Sequence, residues 1–286
     1  MTPNKQEYHI LNLDSLKQKV VCLTLDVEQD YGDLLDEPSY EGLQHIPDLV
    51  NLFKERSIPL TCFVQGSILE THAAQLEPFS RLDVEFELHS YSHPGPNEID
   101  STAEIERGRQ AYREFFHKDP LGYRAPLGAI KGKDYQVLAS NGFKFDSSVF
   151  PSFRPGVFNN LRKPTKPYLL NETKIIEFPF TVFSDFIRVP VALSYIQLFG
   201  KPYLGLLKVV HCPNLIIFDF HLHNLFKLSS ANKIPFARLS FIYRKIFSRI
   251  YQEEGGLHIL DELITSLQKR GYTFHKLVDL YEAIVK

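Results

Sequence analysis

The sequence predicts an α/β fold, a distorted (β/α) barrel of seven or eight parallel strands with loop insertions. Short apolar, often β-branched runs alternate with segments of helical period over nearly the whole chain, the pattern of a parallel sheet that is either closed or doubly wound. Seven or eight such runs can be counted, which favours closure into a barrel. Residues with chemical function recur where those runs end, and in a barrel the loops leaving that edge converge on one mouth.

The elements follow in order. Val20 to Leu25 is a strand ending at Asp26, and Gly42 to Arg56 repeats Leu43, Ile46, Leu49, Val50 and Phe53 at helical spacing. Pro59 to Val64 is the next strand and Ile68 to Arg81 a helix. Asp83 to His89 alternates, with Val84, Phe86 and Leu88 on one face and Glu85, Glu87 and His89 on the other. Ser101 or Thr102 starts a helix that runs to about His117, because hydroxyl caps precede Glu104. Leu121 to Arg124 is a short strand, and Lys133 to Asn141 a helix stopped by Gly142. Phe143 to Asp146, Lys174 to Phe178 and Leu215 to His221 supply three more strands. Gly256 to Arg270 is a helix, followed by a strand at Tyr272 to His275 and a last helix. One domain, 1–286, is expected, with an extension at 1–18 and insertions at 151–172, 180–213 and 224–254.

Composition narrows the function classes. At 286 residues and 33.0 kDa the chain can bury a large core, and its 44% hydrophobic and 23% charged residues are those of an ordinary globular protein. A formal net charge of −2 gives no reason to expect a nucleic-acid partner. No run approaches the roughly 18 apolar residues of a spanning helix, and the polar segment Met1 to Leu16 lacks the apolar centre of a signal peptide. Cys22, Cys62 and Cys212 have no metal-ligand spacing and read as thiols of a reducing compartment. The cytoplasm is therefore expected.

Five segments end in reactive residues: Asp26 and Glu28, His89 and His93, Arg124, Asp146, and His221. Among 11 histidines about 0.4 His-x-x-x-His pairs arise by chance, so spacing alone carries little. However, His89 ends an alternating strand and Pro94-Gly95 follows His93, which makes this a loop rather than a surface helix. Two imidazoles returned to one point suit a metal ion, with a carboxylate as third ligand and one position left for water. Asp26-Val27-Glu28 offers that carboxylate and a second acid to act on the water. No Gly-x-Ser-x-Gly elbow is present. Gly128 to Asp134 is one residue short of a phosphate loop and has Asp134 where Ser or Thr should stand.

The ordered set Leu23-Thr24-Leu25-Asp26-Val27-Glu28, His89-Ser90-Tyr91-Ser92-His93, Gly122-Tyr123-Arg124-Ala125-Pro126, Phe145-Asp146-Ser147-Ser148 and Phe218-Asp219-Phe220-His221 resembles the polysaccharide deacetylase family, carbohydrate esterase family 4, in its acid-x-acid branch. The resemblance implies that His89, His93 and Glu28 hold a divalent metal, and that Asp26 is the catalytic base, although the two acids can exchange roles. It implies that Arg124 orients the base, that Asp146 holds that arginine, and that Pro126 shapes the groove wall. His221 corresponds to the general acid, with His223, two residues on, as its competitor.

The implied reaction is metal-assisted removal of an N-acetyl group from a sugar in a glycan or glycan precursor. Zinc is the expected ion, with iron, cobalt and nickel as alternatives. Two other readings use the same residues: hydrolysis of another linear amide or a ureide, and a catalytically silent carbohydrate-binding barrel. Ile234 to Tyr251 mixes Phe236, Phe241 and Phe247 with Arg238, Arg244, Lys245 and Arg249. That composition suits either peripheral contact with an anionic (inner) membrane or a helix packed on the barrel. The oligomeric state is not legible in the sequence.

Overall fold

The computed structural model describes residues 7–13, 18–95, 101–154, 157–210, 212–239, 244–246 and 255–286. Among these described residues the strands are β1 (Tyr8–Ile10), β2 (Lys19–Val27), β3 (Leu60–Val64), β4 (Val84–Leu88), β5 (Gly122–Tyr123), β6 (Phe145–Asp146), β7 (Phe153–Arg154), β8 (Phe158–Asn159), β9 (Tyr168–Leu170), β10 (Ile176–Glu177), β11 (Leu215–His221) and β12 (Tyr272–Phe274).

Strands β10-β6-β5-β4-β3-β2-β11 lie side by side and parallel. β12 adds an eighth, pairing with β2 through Tyr272↔Lys19 and Phe274↔Val21. Beyond β10 the chain meets β11 directly: the Thr181 amide donates to the Ile217 carbonyl at 3.2 Å, and the Ile217 amide to Thr181 Oγ1 at 2.8 Å. The distorted barrel expected from the strand count is thus present. β9 and β1 extend it antiparallel at the β10 side, and β7 and β8 form a separate hairpin.

Alternation along the strands divides the core in two. Val21, Leu23 and Leu25 of β2 point outward and pack with Leu49, Phe53, Ile105, Leu260 and Leu263 of the surrounding helices. Val20, Cys22, Phe63, Phe145, Ile176, Phe178 and Ile217 point inward. Leu277 and Leu280 of the last helix, Leu277–Val285, join this inner set and close the barrel floor. Gly122 leaves room for one ring there, since a Cβ would lie 2.2 Å from Phe145 Cε2.

One expectation needs adjustment. The helix expected over 68–81 is an α-helix at Gly66–Thr71 and then 3-10 turns at Ala73–Arg81, because Pro78 lacks an amide donor and its ring crowds the preceding turn. The alternation of β4 is as expected, and the structure adds which face is turned inward. Its glutamates, Glu85 and Glu87, lie buried on the inward face with His89, which puts two acids inside the barrel below the histidine.

Candidate metal centre and catalytic site

β2 ends in Asp26-Val27-Glu28. Val27 packs outward with the helices, while both acids are buried at the barrel mouth. β4 delivers His89. After it, Ser90 and His93 adopt left-handed backbone, φ 54° in each, a conformation few non-glycine residues take and one found often at functional sites. The loop is clamped by Glu104 of the Ser101–Phe116 helix, which accepts the amides of Tyr91 (3.0 Å) and Ser92 (2.8 Å). Gly108 lets that helix approach, because a Cβ there would meet the Ser90 carbonyl at 3.0 Å.

The two imidazoles converge on one carboxylate. Glu28 Oε2 lies 3.0 Å from His89 Nε2 and 2.7 Å from His93 Nε2, and the three residues could hold a metal ion between them. The chemistry of the donors tests that fit. His89 Nδ1 donates to the Arg124 carbonyl at 2.9 Å, so in the neutral ring Nε2 carries a lone pair. A buried lone pair facing a carboxylate oxygen requires a cation or an extra proton between them. The residues therefore fit a divalent ion. Burial pulls the His93 imidazole down, but the Glu28 charge and hydrogen bond raise it overall. Burial pushes the Glu28 carboxyl up, yet His93, His221 and the His89 hydrogen bond hold it well below the usual range.

Asp26 is engaged elsewhere. Its Oδ1 accepts from Arg124 Nη1 at 2.6 Å, while Oδ2 lies 3.9 Å from His89 Nε2 and 3.5 Å from His221 Nε2. Arg124 is 1% exposed, and every arm of its guanidinium is occupied. Nη1 also donates to Asp219 at 3.0 Å, Nη2 to Thr24 Oγ1 and Ser147 Oγ, and Nε to the Ser147 carbonyl. Its faces rest on Phe63 and Phe180, 4.1 and 4.5 Å from the ring centroids. A charge so enclosed is tolerable only because two carboxylates and several acceptors replace water.

The acid opposite Arg124 is Asp219, not Asp146 as the motif order implied. Phe145 fills the barrel interior, so strand alternation turns Asp146 to the outer face. There it binds the Ser148 hydroxyl (2.7 Å) and amide (3.1 Å). Burial and the neighbouring Glu177 push its carboxyl well above the usual range. Asp219 pairs in register with Thr24 and shares the inward face with His221. Burial and then Asp26 raise its carboxyl to about 6, although His221 and Arg124 oppose the shift. The alternation in Phe218-Asp219-Phe220-His221 was a legible signal for this role.

His221 Nε2 lies 3.5 Å from both Asp26 Oδ2 and Glu28 Oε1, and its Nδ1 is 3.2 Å from Asn224 Oδ1. Burial lowers its pKa, but Asp219, Glu28 and Asp26 outweigh that and raise it overall. His223 does not point the same way as His221, because the chain turns into the short helix Leu222–Leu225. Its Nδ1 accepts the Tyr31 amide at 3.4 Å, and burial and then His221 lower it to about 3. Pro126 opens a 3-10 turn at the end of β5 and is buried.

Residues 14–145 match the polysaccharide deacetylase family model. A peptidoglycan deacetylase of Helicobacter pylori is 28% identical over 124 residues, which are 42% of this chain and 42% of that protein. The chain thus aligns with less than half the length of that relative. A Mycobacterium smegmatis protein assigned as a polysaccharide deacetylase superimposes with a TM-score of 0.61 at 18% identity, covering 93% of this chain and 90% of its own. A CE4 family pseudoenzyme from Bacillus anthracis gives 0.51 at 13% identity, covering 92% and 66%. At these identities the two structures speak for the fold alone.

Proposed function

We propose that the chain, whose residues 14–145 match the polysaccharide deacetylase family model, hydrolyses the N-acetyl group of a saccharide to acetate and a free amine. One observation carries this reading: two imidazole Nε2 atoms close on Glu28 at 2.7 and 3.0 Å, beside an Asp26–Arg124–Asp219 chain and a facing His221. Glu28, His89 and His93 would hold the divalent ion, zinc fitting a two-imidazole, one-carboxylate set and iron, cobalt or nickel competing for it. Such an ion supplies Lewis-acid polarisation of the acetamide carbonyl and acidifies water.

The chain's own residues do the rest. Arg124 fixes Asp26 Oδ1, leaving Oδ2 turned toward His89 and His221, where it takes the proton of the attacking water. The new C–O bond forms as that proton leaves. His221, held by Asn224 and with its pKa raised by three surrounding carboxylates, gives its proton to the departing nitrogen as the C–N bond breaks. His223, lowered to about 3, has no proton to give near neutrality. Three buried free thiols, Cys22, Cys62 and Cys212, suit a reducing compartment. Among the described residues no helix is long and apolar enough to cross a membrane. Much of 234–251, the segment read as a membrane contact, lies outside the described residues, at 240–243 and 247–251.

Metal analysis and acetate release, measured together, test the assignment. His89→Ala, His93→Ala and Glu28→Gln should each lose the metal. Asp26→Asn should keep it and lose acetate release by at least about a hundredfold, the scale of a general base. Unchanged metal content in both histidine variants would sink the centre. Stoichiometric metal with no acetate from a panel of N-acetylated sugars would leave a carbohydrate-binding barrel, and release of ammonia or formate would indicate another amide substrate.

A further inference from the structure

Two loops leaving the mouth end of the barrel, one after β6 and one after β10, join into a single rim. The second is a hairpin held by Val182↔Pro190 pairing and by the Phe183 amide on the Val189 carbonyl at 2.8 Å. It is pinned to the first by Arg188 Nη1 on the carbonyls of Lys163 (2.9 Å) and Pro151 (3.4 Å), and by the Thr165 hydroxyl on Asp185. The joined loops present Phe186, 97% exposed, Ile187 at 56%, Phe153 at 55% and Leu161 at 47%.

Charge on the rim is one-sided. Residues 151–168 contain Arg154, Arg162, Lys163 and Lys166 and no acid, with Arg162 and Lys166 exposed. Asp185, the acid of the second loop, is occupied by Thr165. Across the mouth, the loop after β2 carries Asp33, Asp36, Glu37 and Glu41, with Asp36 paired to Arg238 at 2.7 Å and Glu41 bound to Ser229 and Ser230. An anionic surface would therefore meet the β6–β10 side and avoid the β2 side.

The rim is also rigidly connected to the site. The Phe180 ring faces the Arg124 guanidinium and stacks on Phe150 at 3.7 Å, and Phe150 stacks on Phe158 of β8 at 5.9 Å. We propose that this apolar, basic rim docks the chain on the surface of an anionic lipid bilayer, with the barrel mouth held at headgroup level. Aromatic and aliphatic side chains beside lysine and arginine match such a surface, the apolar groups entering the headgroup boundary while the cations meet lipid charge. The docked mouth would act on a sugar at the bilayer surface. This inference does not depend on the centre being catalytic.

Flotation of the full chain tests it with vesicles of phosphatidylcholine, alone or with phosphatidylglycerol. The chain should float with the anionic vesicles, float less with neutral ones, and release as salt is raised to about 1 M, where screening shortens to about 3 Å. Phe153→Ser with Phe186→Ser, and separately Arg162→Glu with Lys166→Glu, should each cut partitioning about tenfold or more. These are surface changes that leave the core intact. Val209→Ser, 81% exposed on the Lys201–Val209 helix that leads into the opposite end of the barrel, should bind as wild type. The proposal fails if the wild type stays with unbound protein at low salt, or if Val209→Ser weakens binding as much as the rim variants. It also fails if the chain self-associates without lipid and Phe186→Ser makes it monomeric, since the rim would then face a second copy.

Discussion

Asp219→Asn probes which acid supports the enclosed arginine proposed to orient the base. Arg124, almost fully enclosed, holds Asp26 at 2.6 Å and Asp219 at 3.0 Å through the same nitrogen. The asparagine keeps the shape of Asp219 but removes its negative charge, so Arg124 donates to a neutral amide oxygen instead of a carboxylate, a loss of about 1–2 kcal/mol. If that loss falls on the placement of Asp26, kcat drops about 5- to 30-fold, at 1.36 kcal/mol per decade. KM should change little, because the interaction serves the transition state rather than binding. Asp146→Asn is the matched control. Its carboxyl lies on the outer face, where it accepts from Ser148 and makes no bond to Arg124, so kcat should stay within about twofold. Initial rates of acetate release, normalised to bound metal and folded fraction, give both numbers. A fall in kcat for Asp146→Asn equal to that for Asp219→Asn, or an unchanged Asp219→Asn, would refute the arrangement described for Arg124.

Two further outcomes concern the barrel itself. Burial raises Glu85 to about 7, even though it accepts the Val278 amide and the Thr61 hydroxyl. Its stabilising proton is therefore held fully below about pH 4.5 and lost as pH rises through 7. By linkage a shift of that size removes about 3 kcal/mol of stability. Glu85→Gln should be more stable than wild type at pH 8 by up to about that amount and close to it at pH 4.5. Urea unfolding at the two pH values checks this, and parallel pH dependences for the two proteins would disprove it. Gly122→Ala should cost about 1–3 kcal/mol by overpacking, because its Cβ would strike Phe145. Combining it with Phe145→Leu should recover part of the loss in a double-mutant cycle.

Much of the centre was legible in the chain because its parts are local. Asp26 and Glu28 flank one residue at the end of a strand, and His89 and His93 flank a short loop, so each pair reaches the mouth through neighbouring backbone alone. The strand–helix rhythm and the glycine stops at Gly142 and Gly271, with φ 87° and 78°, are likewise local. Pairings between segments far apart were less visible. Sequence order named Asp146 as the partner of Arg124, whereas strand register chose Asp219. His223, two residues after His221, competed with it as the general acid, whereas the chain turns helical at Leu222 and the two do not point the same way.

By itself, then, the sequence determined the barrel class, the two histidines and the acid pair beside them, since periodicity and spacing record what neighbouring residues do. Tertiary structure alone decided which acid meets the arginine, which late histidine faces the carboxylates, and that Glu85 and Glu87 lie inside the barrel. A strand offers two faces to every side chain, and only its packing against the next strands and helices selects the one turned inward.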